Sequence, residues 1–270
     1  MTSDRFTLTA VIGVLMSGTL FLPRLGEADG KYCPNHSESR TPVLVELFTS
    51  EGCSDCPPAD ALLEKLDRRE SINNVAVIAL SEHVDYWNDI GWKDPYSSGE
   101  YSLRQGAYGR QFGLGSVYTP QMVVDGRAQF VGSNERDAVR AIENAGKIEK
   151  IPLSLSSIRF DGANRIVLHV EAGPSPSSLS GGNAEMLLAV ADDTDISSVT
   201  RGENAGRTLK HVAVVRTLVS VGKLGSGGMF SQDVAVNLIR GTTRNFRVVA
   251  IIQQPEAGRV LGVGIARISN

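Results

Sequence analysis

The pattern of apolar and polar positions changes near residue 150. Before that point, short apolar runs alternate with segments whose apolar residues recur at helical spacing. The pattern predicts, in chain order, strand 43–48, helix 57–69, strand 75–80, helix 98–112, strands 121–125 and 128–131, and helix 134–147. A helix separates the first two strands, which implies a right-handed parallel crossover, and Asp125-Gly126 is a strong hairpin signal.

After Ile151-Pro152 the apolar residues alternate with period two, and glycine-rich turns separate the runs. The predicted strands are 153–160, 165–171, 185–191, 209–221, 229–238, 247–253 and 261–268. The order β-α-β-α-β-β-α of the first part is that of a thioredoxin-like sheet. The predicted fold class is therefore an α/β thioredoxin-like domain at 42–149, followed by an all-β antiparallel sandwich domain at 150–270.

The N-terminus resembles an export signal. Arg5 precedes an apolar run over residues 6–22, and the small residues Gly26 and Ala28 have the spacing that a signal peptidase prefers. This predicts a signal peptide at 1–28, a polar N-terminal arm at 29–41, and a periplasmic or secreted protein. The alternative is an uncleaved segment retained as a membrane anchor, which would be the chain's one membrane contact.

The formal net charge is −3 at pH 7, so the chain offers no basic surface for nucleic acid. We therefore expect no nucleic-acid partner. The sequence leaves the oligomeric state open.

The strongest chemical signal is the pair Cys53 and Cys56, which follows the first predicted strand and precedes Pro57 and Pro58. Prolines fit the first turn of a helix, where unpaired N–H groups and the helix dipole favour a thiolate. Cys53 is the expected nucleophile, with an exposed sulfur, and Cys56 is the expected resolving thiol beneath it, with a disulfide joining them in the oxidised state. Asp55 opposes the dipole, because a neighbouring carboxylate raises a thiol pKa.

The third cysteine, Cys33, lies in the polar segment after the predicted cleavage site. One interpretation is a free thiol in the N-terminal arm. A second combines Cys33 and His36 with Cys53 and Cys56 into a zinc site of three cysteines and one histidine.

Four segments together resemble a family of exported bacterial proteins known only as a domain of unknown function, of the DUF1223 type. These segments are 46–60 (ELFTSEGCSDCPPAD), 83–95 (HVDYWNDIGWKDP), 117–126 (VYTPQMVVDG) and 201–209 (RGENAGRTL). The resemblance implies a thioredoxin-like fold and a redox site. The aromatic residue that usually precedes a thioredoxin dithiol is absent, because Glu51-Gly52 occupies its place.

The dipeptide Thr119-Pro120 precedes a predicted strand, as the cis-proline does in thioredoxin-like proteins. The resemblance implies that Thr119 and Pro120 present a substrate's backbone beside the dithiol. An ordinary trans turn proline is the alternative.

The loop after the second strand should lie at the same sheet edge as the dithiol. It carries Glu82, His83, Asp85 and Trp87, and Glu51 lies just before the dithiol. His83 could shuttle protons or join Glu82 and Asp85 as a metal ligand. Alternatively, His83 caps the sheet edge while Trp87 covers apolar surface.

A polar loop at 201–207 interrupts the alternating second part, with Arg201, Glu203, Asn204 and Arg207. Such a loop binds an anionic ligand or clamps the two parts together. We expect a clamp between its arginines and acidic residues such as Glu51 or Asp89, and a solvated loop without a binding role is the other alternative.

Together these features predict thiol–disulfide exchange through Cys53 and Cys56, with unidentified protein thiols or disulfides as partners and no organic cofactor. The second hypothesis is a module that binds a peptide or small ligand, with a structural disulfide. The third is a metal-handling protein that uses the two cysteines with Cys33 and His36, or with His83.

Overall fold

The computed structural model describes residues 31–33, 40–68, 72–162, 164–179, 183–238 and 245–269. The α-helices of these residues are α1 (Pro57–Arg68), α2 (Gly99–Gln111) and α3 (Glu135–Ala145). The strands are β1 (Lys31–Cys33), β2 (Thr41–Thr49), β3 (Val75–His83), β4 (Gln121–Val124), β5 (Ala128–Val131), β6 (Leu153–Phe160), β7 (Arg165–Ala172), β8 (Glu185–Ser198), β9 (Thr208–Lys223), β10 (Phe230–Asn237), β11 (Phe246–Gln253) and β12 (Val260–Ser269). The predicted elements from residue 43 onward are thus confirmed, with bounds that shift by a few residues.

Two sheets organise the described residues. The larger is a mixed sheet of nine strands in the order β1-β12-β11-β8-β9-β3-β2-β4-β5, and the smaller is an antiparallel sheet in the order β10-β7-β6. Strands β2 and β3 are parallel, as the predicted crossover requires, and β4 pairs antiparallel with both β2 and β5. The two parts of the chain meet where β3 lies parallel to β9, at Ser81 and Val214.

The predicted fold class is wrong. The chain does not form an α/β thioredoxin-like domain followed by an all-β antiparallel sandwich, because four strands from the second part, β8, β9, β11 and β12, extend the sheet of the first. The described chain is mostly β, in one large mixed sheet. An alternating pattern predicts where strands lie, but it does not show which distant strand each one pairs with. Pairing between strands on either side of residue 150 therefore leaves no trace in the pattern.

The cores also cross that boundary. One cluster buries Leu44 and Leu80 from the first part with Val215, Val249 and Ile251 from the second. A second lies beneath α1 and α3, and a third fills the space between the two sheets. The cluster beneath α1 depends on its helical spacing, because Ala59, Leu62, Leu63 and Leu66 form the buried face.

A buried ion pair also connects the two parts of the chain. The guanidinium of Arg247, on β11, donates to both carboxylate oxygens of Asp67, on α1, at 2.6 and 3.0 Å. Its Nε also donates to Asp193 at 2.7 Å. A bidentate pair of this kind fixes orientation as well as charge, so it sets the position of α1 against the second part of the chain.

The predicted signal peptide at 1–28 and most of the predicted arm lie outside the described residues. Within the described residues, none of the helices has the length and apolar character needed to cross a membrane.

Candidate functional site

The turn between β2 and α1 carries both predicted cysteines, and residues 50–56 are called the redox turn below. Cys53 and Cys56 form a disulfide, with their Cα atoms 5.4 Å apart. The carbonyl of Cys56 accepts hydrogen bonds from the N–H groups of Ala59 and Asp60 at 2.8 and 3.1 Å, so α1 begins directly at the disulfide. The predicted placement at a helix N-terminus is therefore what the structure has.

The disulfide is buried. Cys53 is 1% exposed and Cys56 is fully buried, whereas Ser54 and Asp55 between them are exposed. The expectation of an accessible Cys53 is therefore not met in this conformation. Asp55 faces solvent, where water screens its effect on the thiols.

A loop from the second part of the chain lies over the redox turn. Residues 201–207, called the cover loop below, connect β8 to β9. The buried Asn204 side chain donates to the main-chain carbonyls of Glu51 and Cys53, each at 2.9 Å. The carboxylate of Glu203 accepts from the N–H of Ser54 at 3.0 Å. The loop contacts the redox turn as expected, but it does so through Asn204 and Glu203 rather than through its arginines.

Of the two predicted arginines in this loop, Arg207 has a supporting role. Its guanidinium donates to Oδ1 of Asn204 at 2.8 Å, which directs the amide nitrogen toward the redox turn. Arg201 is exposed.

A buried cluster of two histidines and three carboxylates lies next to the redox turn. Nδ1 of His83 is 2.7 Å from Oδ2 of Asp94, and Nε2 of His211 is 3.3 Å from Oε1 of Glu51. Nδ1 of His211 also lies 3.8 Å from Oδ2 of Asp60, which is an ion-pair distance rather than a hydrogen bond. The two imidazole rings meet edge to face, with centroids 4.7 Å apart.

The pKa values in this cluster follow from its contacts. Burial disfavours the charged form of His211, but its interactions with the nearby carboxylates of Asp60 and Glu51 outweigh burial and raise its pKa to about 10. Burial likewise opposes the charge on Asp94, yet the adjacent His83 and the main-chain N–H groups of Glu51 and Tyr96 lower its pKa. At neutral pH, His211 is therefore a buried imidazolium that balances carboxylates.

Glu51 is the residue that connects the cover loop to this cluster. Its carbonyl accepts from Asn204, and its N–H donates to Asp94 at 2.8 Å. Its carboxylate accepts from Nε1 of Trp92 at 2.7 Å and faces His211. Every polar group of Glu51 therefore has a partner, which explains how a carboxylate can be buried two residues before Cys53.

Thr119 and Pro120 lie on a neighbouring loop. The Thr119–Pro120 peptide bond is cis, as the sequence predicts. Nε1 of Trp87 donates to Oγ1 of Thr119 at 2.8 Å, and Trp87 also packs against Gly52, where an added Cβ would lie 3.0 Å from the Trp87 Cβ. Trp87 thus connects the redox turn to the loop that holds Pro120.

Two of the predicted supporting residues lie elsewhere. Glu82 follows Ser81 on β3 and faces the opposite side of the sheet from His83, where it lies 3.4 Å from Arg104. Asp85 accepts from the Ser102 hydroxyl at 2.6 Å and so fixes the start of α2. Because neighbouring strand residues point to opposite faces, Glu82 and His83 could not both have faced the dithiol.

Glu82 belongs to a buried charged cluster of its own. Arg104 donates to Glu46 at 2.8 and 2.5 Å, and the Tyr108 hydroxyl donates to the other oxygen of Glu46 at 2.5 Å. Burial raises the pKa of Glu82 well above the usual carboxyl range, and the nearby Glu46 adds to this rise against the effect of Arg104. Burial therefore favours the protonated, neutral form of Glu82.

Among the described residues, no group of three histidine, cysteine, aspartate or glutamate side chains is arranged to hold a metal ion. Cys33 ends β1, paired with Arg267 of β12, and His36 lies outside the described residues. The zinc hypothesis based on these two residues therefore stays a prediction.

The sequence interpretation missed His211, Asp60 and Asp94. Asp60 could have been found, because it occupies the buried face of α1 next to Ala59, where a carboxylate needs a partner. His211 gave no usable signal, since it is one polar position in a strand whose sheet partner the sequence does not reveal.

Comparisons with known proteins place the chain in a family. A family model described as "Protein of unknown function (DUF1223)" matches residues 44–253, which confirms the family predicted from the motifs. The comparison with curated proteins finds no match.

Several solved chains are similar to this one, including the following two. The crystal structure of protein AGR_C_4864 from Agrobacterium tumefaciens is 27% identical, with a TM-score of 0.59, and the match covers 84% of this chain and 94% of that one. HBP35 of Porphyromonas gingivalis is 14% identical, with a TM-score of 0.60 and coverage of 84% and 75%. The second likeness shows the fold alone.

Proposed function

We propose that this chain, which belongs to a family of proteins of unknown function (DUF1223), carries out thiol–disulfide exchange at Cys53 and Cys56. Its partners are protein thiols, and the reaction takes place outside the cytoplasm, where disulfides persist. The observation that carries the proposal is a disulfide at the N-terminus of α1, covered by one loop and bordered by a buried charged cluster.

The small size of the ring that the disulfide closes supports an exchangeable bond rather than a structural one. A disulfide stabilises a protein mainly by restricting the unfolded chain, and the effect grows with the number of residues enclosed. Cys53 and Cys56 are separated by three positions, so this effect is only about 2 kcal/mol. A bond whose main task is stability gains more by joining distant segments.

The reaction needs no cofactor. A thiolate of the partner attacks Sγ of Cys53, a new sulfur–sulfur bond forms, and the bond to Cys56 breaks with its electron pair on Sγ of Cys56. The second thiol of the partner, once deprotonated, attacks the partner's other sulfur atom in the mixed disulfide and releases Cys53 as a thiolate. The partner leaves oxidised, while Cys53 and Cys56 take up the two protons that the partner lost. The reverse sequence oxidises this protein.

The charged cluster supports this chemistry through its position. Asp60 lies one helical turn after Cys56 and Glu51 lies two residues before Cys53, and His211 contacts both carboxylates. The imidazolium offsets the negative charge that would otherwise disfavour a thiolate here. His211 belongs to the second part of the chain, so the exchange site requires both parts.

Access requires the cover loop to move. An attacking sulfur must reach Cys53 almost in line with the disulfide bond, and Cys53 is 1% exposed while Asn204 is in place. We therefore propose exchange in a minor conformation in which the cover loop has left the redox turn.

The test is trapping of a mixed disulfide by Cys56→Ser in a Cys33→Ser background, which removes the resolving thiol and the third cysteine. We expect adducts on Cys53 in the native compartment, and more of them when Asn204→Ala is added. Cys53→Ser in the same background is the matched control and should trap nothing. Absence of adducts from both Cys56→Ser variants would contradict the proposal.

A binding module with a structural disulfide is the second candidate, favoured by the burial of both cysteines. It predicts that the disulfide of the folded protein resists reduction even when the cover loop is weakened. Treating the folded Asn204→Ala variant with a reductant separates the two candidates. A disulfide that opens favours exchange, and one that stays closed favours the binding module.

A further inference from the structure

The redox turn presents three main-chain groups to the cover loop. The carbonyls of Glu51 and Cys53 accept from Asn204, and the N–H of Ser54 donates to Glu203. Within the turn, the Cys53 carbonyl also accepts from the N–H of Cys56 at 3.3 Å, and Ser54 is exposed. On the side of the cover loop, the Asn204 amide donates both hydrogen bonds to the carbonyls, and the Glu203 carboxylate accepts the one from the N–H.

The cover loop makes these contacts with side chains and not as part of a sheet. The ladder between β8 and β9 ends at the pair Ser198 and Thr208, and main-chain hydrogen bonds of Val199 with Gly206 and Arg207 then close the loop on itself. Gly202 packs against Trp92, where an added Cβ would lie 3.1 Å from the Trp92 Cβ. A tip held by a few side-chain contacts can leave the turn without unpairing a strand.

Any partner that reaches Cys53 must replace these contacts or leave them unmade. A polar group that stays buried without a hydrogen bond costs about 1 to 3 kcal/mol. Glutathione carries carboxylates and amide N–H groups, but with one residue on either side of its cysteine it covers less of the turn than a polypeptide segment does. A polypeptide segment with an amide and a carboxylate side chain close to its cysteine can satisfy all three.

We propose that the cover loop occupies the docking surface of a protein partner, and that this partner carries a glutamate or aspartate and an asparagine or glutamine beside its reactive cysteine. This inference rests on the proposed function and names its substrate class. Glu203 and Asn204 show which chemistry the redox turn accepts. The surface selects extended protein segments over small thiols such as glutathione.

The experiment compares two synthetic cysteine peptides of identical composition as reductants of the Cys33→Ser protein. One carries Glu-Asn within two residues of its cysteine, and the other carries the same pair at its far end. The rate of disulfide loss is followed by alkylation and mass shift. We expect the first peptide to react about tenfold faster, since one well-placed buried hydrogen bond is worth roughly that factor, and glutathione to be slower than both.

The same comparison is made with Asn204→Ala, which frees the redox turn, and with Arg201→Ala as the matched loop control. In Asn204→Ala all reductants should react faster, while the ratio between the two peptides persists because it depends on groups of the turn. In Arg201→Ala, rates and ratio should equal those of the parent protein. Peptides that reduce the protein at rates within twofold of each other would overturn the inference and leave exchange standing. A disulfide that no reductant opens in the folded Asn204→Ala protein would instead overturn the proposed function.

Discussion

The side-chain amide of Asn204 donates a hydrogen bond of 2.9 Å to the main-chain carbonyl of Cys53, 151 positions earlier in the chain. The contact places a loop from the second part of the protein directly on the turn that carries the Cys53–Cys56 disulfide. Access to the disulfide therefore depends on how firmly that loop is held.

Replacing Asn204 by alanine should expose the disulfide. The substitution removes two buried hydrogen bonds, so we expect a loss of about 1 to 3 kcal/mol in the free energy of unfolding. Reduction of the native disulfide by dithiothreitol should become about tenfold faster or more. Arg201→Ala is the control, and a reduction rate that does not change in Asn204→Ala would show that the cover loop does not limit access.

Stability should fall as pH rises toward 10, because of His211. Its pKa is about 10 in the folded protein against 6.5 ordinarily, so the folded state holds a proton that the unfolded state releases between these values. The stabilisation is fully present below pH 6.5 and is lost as pH rises to about 10, at up to roughly 1 kcal/mol per pH unit. Urea unfolding at several pH values measures this slope.

His211→Gln is the matched variant for that slope. It keeps a polar side chain of similar length but does not titrate, so the slope between pH 7 and 10 should become shallower. The difference between the two proteins removes the contribution of tyrosines that titrate in both. Equal slopes would mean that His211 is not the group responsible.

In the buried cluster around Arg104, we expect substitutions of the two glutamates to change the free energy of unfolding by different amounts. Burial raises the pKa of Glu82 and favours its neutral form, so Glu82→Gln should change the free energy of unfolding by less than about 1 kcal/mol. Glu46 pairs with Arg104 at 2.5 Å, and Glu46→Gln leaves that buried guanidinium with a weaker partner. We expect a loss of about 3 kcal/mol for Glu46→Gln. Similar losses in both variants would contradict these charge assignments.

The two parts of the chain should unfold together. They share the pairing of β3 with β9, a hydrophobic core and the pair of Arg247 with Asp67. We expect one transition by both circular dichroism and tryptophan fluorescence, although both tryptophans lie in the first part. Arg247→Met should lower the midpoint of that single transition. Two separated transitions would show independently folding parts.

Much of the secondary structure could be predicted from the sequence, because each element has its own period of apolar residues. Helix α1 is an example, since Leu62, Leu63 and Leu66 mark its buried face. The fold class could not be predicted in the same way. The parallel pairing of Ser81 with Val214 joins residues 133 positions apart, and a period of two along each strand is compatible with many partners.

The candidate site could be predicted only in part, because local signals mark some of its residues and long-range strand pairing brings in the others. Cys53, Cys56 and Pro120 have local signals, and the structure places them near the start of α1. Asn204 was assigned to the right loop, although the arginines were expected to make the contacts. His211 reaches the site only through long-range strand pairing, so its role becomes visible only in three dimensions.

The most direct test of the central claim is a redox titration of the Cys53–Cys56 bond in the folded Cys33→Ser protein. The protein is equilibrated in dithiol–disulfide buffers of stepped potential, then alkylated and weighed, with circular dichroism confirming that it stays folded. Exchange predicts a reversible midpoint above about −300 mV, in the range of proteins that trade electrons with other thiols. A bond that stays closed below about −300 mV, or opens only when the protein unfolds, would identify a structural disulfide and contradict the account.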